Sequence, residues 1–482
     1  MTGNVFAEHR NRFMAEIGES VAVLAAGTEA VRNRDVDHPF RQDSDFYFLT
    51  GFHEPEAVAI IDGTSPEPFV LFVRPKDRED EIWTGLRAGP EGAREHFGAN
   101  EAFPIGELES ELRRRLQGRR TVYHRYGSGP TDVVFDRVMG RLRAWHERTG
   151  SAVPVEVRDP FPILAELRLR KTPDEANDLR NACAASVDAH AEAMRFTEPG
   201  LYEYQIQAAL EYVFRMKGSY RNGYQSIVAG GPNACILHYT ENGRRLEKGD
   251  LLLIDAGAEY EYHAADITRT FPVNGEFSPP QRALYEVVLA AHRAGIAASR
   301  PGSTLREVHE ESKRALGEGL VGLGLVPLAL EDTLSMHLYR EYFMHGTSHW
   351  LGMDVHDVGT YRVEGAPRPL EPGMAFTVEP GLYVPPGGEP VTFRLLTYDM
   401  DEWGERRALL GTDAARQVEA KELEEAPTIE HPIPKEFRGI GIRIEDDVLI
   451  TMHGCENLTS ALPTGPDEIE AVCAERSLLP VI

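Results

Sequence analysis

The chain is short of cysteine, short of positive charge and without any long apolar run, and each shortage removes a class of function. Its four cysteines, Cys183, Cys235, Cys455 and Cys473, are scattered with no CxxC spacing. That excludes a disulfide framework or a thiolate zinc ribbon and suits free thiols in a reducing compartment. A membrane-crossing helix needs about 20 consecutive apolar residues, and no stretch comes near that length. The apolar VAVLAAG at 21–27 is too short for a signal core and follows Glu16 and Glu19 rather than a basic segment. The expectation is a cytoplasmic protein with no membrane partner. With 51 basic against 77 acidic residues the net charge is −26, which argues against nucleic acid and anionic lipid as partners. The densest basic cluster, RRRLQGRR near residue 115, interleaves with apolar positions like the wet face of a helix.

What remains is an ordinary globular composition, 42% hydrophobic over 482 residues, enough for two or three domains. Before residues 165–175, strand-like VAIIDG and EPFVLFVRP alternate with helical LESELRRRL and VVFDRVMGRLRAWHERTG, which reads as an α/β domain. Pro160, Pro162 and Pro173 punctuate the crossing. Thr172 then predicts a helix N-cap, with Glu175 completing a capping box. No solenoid repeat is visible. The fold class is therefore α/β (α+β), with a first domain at 1–170 and a second at 171–482.

The second half carries the chemistry. In LLLIDAGAEYEYHAADITRTFPV, an apolar run ends in Asp255 and the chain returns to Asp266, which predicts a hairpin with the two acids on neighbouring strands. Four apolar residues precede Asp255, so burial would desolvate an unpaired carboxylate, a penalty that a metal ion removes. FMHGTSHWLGMDVHD holds His345, His349 and His356. Its glycines and alternation argue for strand or irregular backbone rather than a helical zinc pair, so one of His345 and His349 goes to metal. MAFTVEPGLYV, with Glu379, and GIGIRIEDDVLIT, with Glu445, alternate like half-buried strands, and Arg443 projects beside Glu445. Four carboxylates and one imidazole carry a charge of about −4, which offsets two divalent ions roughly 3.5–4 Å apart. Hard oxygen donors with one nitrogen favour Mn²⁺, Co²⁺ or Zn²⁺.

These blocks, with SIVAGGPNACILHYTEN before them and HGTSHWLGMDVHDVG, TVEPGLYV and GIGIRIEDDV after, resemble in order the motifs of aminopeptidase P, the Xaa-Pro aminopeptidase of the pita-bread metallopeptidases. PFRQDSDFYFLTGFHEPEAV resembles that family's creatinase-like N-terminal domain, and LRLRKTPDEANDLRNAC its junction with the catalytic one. The resemblance implies Asp255 as a terminal ligand of one metal, His349 and Glu379 on the other, and Asp266 and Glu445 bridging. It implies two divalent ions per subunit, Mn²⁺ ahead of Co²⁺ and Zn²⁺. His238 and His356 match histidines that contact substrate and stabilise the tetrahedral intermediate, and His345 a further active-site histidine. Glu379 matches the proton acceptor, Arg443 the arginine that braces the metals, and Tyr383 and Trp83 positions near the substrate. The implied partners are peptides with proline second and further copies of the chain, in a dimer or tetramer.

Two cations lower the pKa of a shared water toward about 7, supplying hydroxide to attack the carbonyl before proline. An X-Pro bond has no N–H, so a dedicated aromatic-lined pocket is expected. Prolidase shares the fold and ligands and is the alternative, followed by a metal-free binding module or a creatinase-like hydrolase, relatives that lose the acidic ligands. The chain departs from the family by an insertion, about 394–432, whose Phe393, Leu395, Leu396, Tyr398, Trp403, Leu409 and Leu410 exceed what a solvated loop needs. The expectation is a flap at the active-site mouth or a subunit contact.

Overall fold

Alternation of β-branched and aromatic residues writes the first sheet. The computed structural model describes residues 3–127, 129–397, 406–407, 409 and 412–479, and the chain divides into two units, Met1–Arg168 and Leu169–Ile482. In the first unit a six-stranded sheet runs in the order Glu101–Pro104, Phe69–Val73, Val58–Ile61, Val21–Ala25, Thr121–His124, Glu156–Arg158. Val21–Ala25, the segment too short for a signal core, pairs antiparallel with Val58–Ile61 and parallel with Thr121–His124. Side chains two apart share a face, so Val21, Val23, Val58, Ile60, Val70 and Phe72 meet Leu108, Leu112 and Leu116 in one core. Those leucines, four apart, form one stripe of the helix Leu108–Leu116. Arg113 and Arg114, from the basic cluster, fall on its exposed side.

The second unit opens as the capping signal predicts. Thr172 caps the helix Pro173–Phe196, and Glu175 returns to its backbone. Ser278 with Gln281 and Thr304 with Glu307 start Pro279–Ala298 and Leu305–Gly322 in the same way. Ile227–Gly230, Leu251–Asp255 and Thr268–Pro272 form an antiparallel sheet in which Asp255 faces Thr268. A second sheet joins Ala375–Val378, Asp446–Ile450 and Cys455–Asn457, and a ribbon pairs Gly381–Tyr383 with Gly441–Arg443. A bridge between Thr268 and Glu445 ties the two sheets together.

Two local expectations are corrected. The strands at 375–383 and 441–450 are wholly buried rather than half-buried. Phe376, Val378, Val448 and Ile450 pack with Val308 and Leu305 on one side, while Ala375 and Leu449 meet Leu179, Ala182 and Cys183 of Pro173–Phe196 on the other. With helices on both faces, alternation has no wet side to mark. Asp266 also lies just before its strand rather than on it.

The insertion is rooted in a β-hairpin, Val391–Arg394 against Thr428–His431, and contains the helix Thr412–Glu425. Phe393 belongs to the main core of the unit and its ring lies 6.3 Å from that of Tyr342. Leu395 packs against the same core, whereas Leu409 is exposed. Tyr398, Trp403 and Leu410 lie outside the described residues.

Gly257 sits between the strand that carries Asp255 and the returning chain. A Cβ there would lie 1.7 Å from the Ala265 carbonyl oxygen, next to Asp266. Gly257→Ala is therefore expected to cost about 1–3 kcal/mol in denaturant unfolding and to weaken retention of divalent metal. Unchanged stability together with unchanged metal content would contradict this packing.

Candidate metal centre

A cavity of about 230 Å³ opens within the second unit, and every lining residue but Leu237 is one that the sequence singles out. Size alone would not find it. A hollow of about 870 Å³ beside Arg195 and Glu470 is larger but has no histidine in its wall.

Strand ends build the cavity. Asp255 closes Leu251–Asp255, and Asp266 precedes Thr268–Pro272. Glu379 follows Ala375–Val378, and Glu445 occupies the break between Gly441–Arg443 and Asp446–Ile450. Where a strand stops, the backbone is still held by its neighbour while the side chain points past the sheet. The His349 segment is irregular, as its glycines suggest, but is stitched to the same strand by Thr377 N–H to His349 O at 3.0 Å and Leu351 N–H to Ala375 O at 3.0 Å.

Asp255, Asp266 and Glu445 are 8%, 5% and 2% exposed. Burial pushes the Asp255 carboxyl up, Arg443 pulls it back, and Asp266 adds to the rise. Burial likewise lifts Glu379 to about 7 against the pull of His349 and Arg443. Glu445 rises well above its ordinary range through burial and the charges of Asp266, Glu379 and Asp255. Each carboxylate thus lacks a full complement of positive charge, the condition that bound cations relieve. One ligand atom each from Asp266, His349 and Glu445 lie within 4.8 Å of one another.

Hydrogen bonds assign the histidine tautomers. His349 Nδ1 lies 3.0 Å from the Trp350 carbonyl oxygen and must donate to it. That leaves Nε2 facing the carboxylates, 3.3 Å from Asp266 and 3.6 Å from Glu379, where it donates a proton in the metal-free protein and is placed to ligate a metal once that proton is lost. Burial lowers the His349 pKa, but the hydrogen bond and charge of Asp266 and the charge of Glu379 outweigh it and raise it to about 9. His345 Nδ1 donates to Gly346 O at 2.7 Å, so its Nε2 accepts from the Tyr383 hydroxyl at 2.9 Å. Burial and the charge of Arg443 push His345 down to about 3, leaving it neutral. His238 and His356 are exposed to the cavity, and the His356 ring meets that of His349 edge-on at 4.3 Å.

Arg443 is buried and binds Asp255 through Nη2, Tyr383 OH through Nη1 at 2.9 Å and Thr268 Oγ1 through Nε at 3.0 Å. Tyr383, read as a substrate contact, does not line the cavity. It stands behind His345 at 2% exposure, with its hydroxyl engaged by Arg443 and His345. Trp83 belongs to the first unit, on the helix Arg78–Thr84, and is 87% exposed there.

Sequence reasoning missed the residues that orient the ligands. The Tyr224 hydroxyl lies 2.5 Å from both Asp255 Oδ1 and Asp266 Oδ1. Thr268 donates to Glu445 Oε2 at 2.6 Å, and Asp447 accepts the Asp266 N–H at 2.9 Å. Arg269 donates to the Glu445 carbonyl at 2.7 Å and to Asp446 at 2.6 Å. One signal was present: Asp446 and Asp447 interrupt an apolar strand, and buried acids require partners.

Comparison with known proteins gives the family. Residues 177–452 match the model of metallopeptidase family M24, and residues 6–123 that of the aminopeptidase P N-terminal domain. The Xaa-Pro aminopeptidase of Escherichia coli (strain K12) is 39% identical over 457 residues, 94% of this chain and 93% of the relative. That of Haemophilus influenzae is 37% identical over 470 residues, 96% of each. The solved structure of Pseudomonas aeruginosa aminopeptidase PepP has 42% identity and a TM-score of 0.87 over 98% of both chains. Zn-substituted E. coli aminopeptidase P in complex with product has 38% identity and a TM-score of 0.86 over 98% of both. The fold is accordingly a creatinase-like N-terminal domain followed by a pita-bread catalytic domain, and the enzyme is a metal-dependent peptidase. Likeness that runs through both units over nearly their whole length means that the chain belongs to metallopeptidase family M24 and, within it, to the Xaa-Pro aminopeptidases.

Proposed function

We propose that Asp255, Asp266, His349, Glu379 and Glu445 hold two divalent ions, Mn²⁺ ahead of Co²⁺ and Zn²⁺, and that the chain releases the first residue from peptides with proline second. One observation carries this reading: all five ligands, three further histidines and Arg443 face a single cavity. Bound by these residues, the ions would supply a water whose pKa is lowered toward about 7 and would polarise the carbonyl under attack. Glu379 takes the proton of that water on its carboxylate and delivers it to the departing imino nitrogen. His356 and His238 donate N–H to the oxygen that gains charge. For His356 the neutral form is favoured by burial and by the charge of neighbouring His349.

His345 and Tyr383 keep Arg443 and Glu379 in register: Arg443 donates to Tyr383, Tyr383 to His345, and His345 Nδ1 stands 3.5 Å from Glu379 Oε2. A homo-oligomer, dimer or tetramer, is supported by exposed Tyr204, Tyr212 and Met216 along one side of the helix Glu203–Met216. Four unpaired cysteines support a reducing, cytoplasmic setting.

Chelator-stripped protein resupplied with Mn²⁺ should release the first residue from Xaa-Pro-Yaa tripeptides, and Asp266→Ala should lose both the activity and the bound metal. Cleavage of Xaa-Pro dipeptides alone would make the chain a prolidase instead.

His356→Ala and His238→Ala should each lower kcat about 10²–10³-fold while metal per chain, read by mass spectrometry, stays at the wild-type level. A wild-type kcat in either variant would remove that residue from the reaction.

In the metal-free protein Glu379 is raised to about 7 and His349 to about 9. Each folded value lies above the ordinary one, so their contribution to stability is intact below about pH 4.5 for Glu379 and 6.5 for His349. It is lost as the pH rises through about 7 and then 9. The gain in melting temperature on adding Mn²⁺ should therefore be larger at about pH 8 than at about pH 5.5; an equal gain at both would refute a carboxylate–histidine site.

A further inference from the structure

We infer that Lys171, through a buried ion pair with Asp357, is the positioning residue for His356. The inference rests on the reading of His356 as the donor to the developing oxyanion.

Residues 351–360 form neither helix nor strand, and the His356 side chain is exposed, so regular structure does not hold it where a reacting oxygen would be. The next residue is the anchor. Lys171 Nζ and Asp357 Oδ2 are 2.8 Å apart, with side chains 2% and 1% exposed. The Asp357 N–H also donates to Trp350 O at 2.9 Å, which folds the segment back beside the His349 backbone. Lys171 is itself tied to the catalytic sheet. Its N–H donates to Gly373 O at 2.8 Å, and Gly373 N–H to Ile450 O at 2.9 Å. These are the strands that lead to Glu379 and away from Glu445, so the ion pair registers His356 against the ligands.

The chain crosses over the pair so closely that a Cβ on Gly352 would lie 2.0 Å from Asp357 Oδ2 and 2.6 Å from Lys171 Nζ. A buried ion pair contributes little net stability over apolar residues of similar volume, because desolvation offsets attraction, and its best-attested use is to specify one arrangement. Here the arrangement specified is that of the residue beside it. Misplacement of a reacting group by about 1 Å costs on the order of 10²-fold in rate.

The test is steady-state hydrolysis of a Xaa-Pro-Yaa peptide by full-length, metal-loaded protein carrying Lys171→Met, in the wild-type and in a His356→Ala background. In the wild-type background kcat should fall about 10- to 100-fold, with KM within about threefold and metal content unchanged. In the His356→Ala background the same substitution should change kcat by less than about threefold, because residues acting through one another are not additive. An equal loss in both backgrounds, or a loss of bound metal, overturns the inference. If Lys171→Met does not fold, Lys171→Met with Asp357→Leu removes both charges and should fold with kcat still depressed; full recovery of kcat overturns the inference as well. A His356→Ala chain that keeps wild-type kcat would instead overturn the role of His356, and it does so without Lys171 being touched.

Discussion

The structure depends on keeping four carboxylates, Asp255, Asp266, Glu379 and Glu445, together inside a pocket that water enters only in part. Burial raises Asp255, Glu379 and Glu445, which states in proton terms that the protein alone does not neutralise them. Arg443 and His349 supply some positive charge and divalent ions supply the rest. The buried apolar sheets and the capped helices around the pocket can be understood as the frame that makes this charge density tolerable. Strand pairing holds the backbone of Asp255, a bridge to Thr268 that of Glu445, and single hydrogen bonds to Thr347 O and Asp447 those of Glu379 and Asp266, which keeps the four carboxylates close despite their repulsion.

Rigid ligands and freer histidines divide the work. Asp255, Asp266, Glu445 and His349 are held through Tyr224, Thr268, Asp447 and the Trp350 carbonyl. His238 and His356 are exposed, but each is adjacent in sequence to a buried polar anchor. Tyr239 donates to Glu203 Oε2 at 2.8 Å, and Asp357 pairs with Lys171. Glu203 also accepts from the Gly230 N–H at 2.7 Å, on the strand beside Asp255. In both cases an exposed histidine on the cavity wall is followed in the chain by a buried, hydrogen-bonded residue.

Much of this was readable beforehand, for reasons specific to each element. Thr172 and Glu175 marked a helix start because capping is a local matter of backbone donors. LESELRRRL marked a helix with a wet basic face, and Leu108, Leu112 and Leu116 form its buried stripe because their spacing is that of one face. Asp255 stood out because an acid at the end of an apolar run is costly unless it is neutralised. The strands at 375–383 and 441–450 were misread as half-wet because alternation reports one buried face, and here helices cover both. Tyr224 and Thr268 carried no signal, since a hydroxyl that orients a ligand looks like any other until the fold brings it there. Tyr383 was placed at the substrate but stands one layer back, a distinction of depth that a linear pattern does not encode.

The sequence by itself determined the candidate donors, the fold class and the first capped helix start, because these follow from residue chemistry and from hydrogen bonds a few positions apart. Only the tertiary structure decided which His349 nitrogen faces the carboxylates, which residues hold those carboxylates in place, and what anchors the segment beside His356. Those outcomes rest on contacts between residues far apart in the chain, such as Thr268 with Glu445 and Lys171 with Asp357. Such contacts arise only once the sheets have paired and closed.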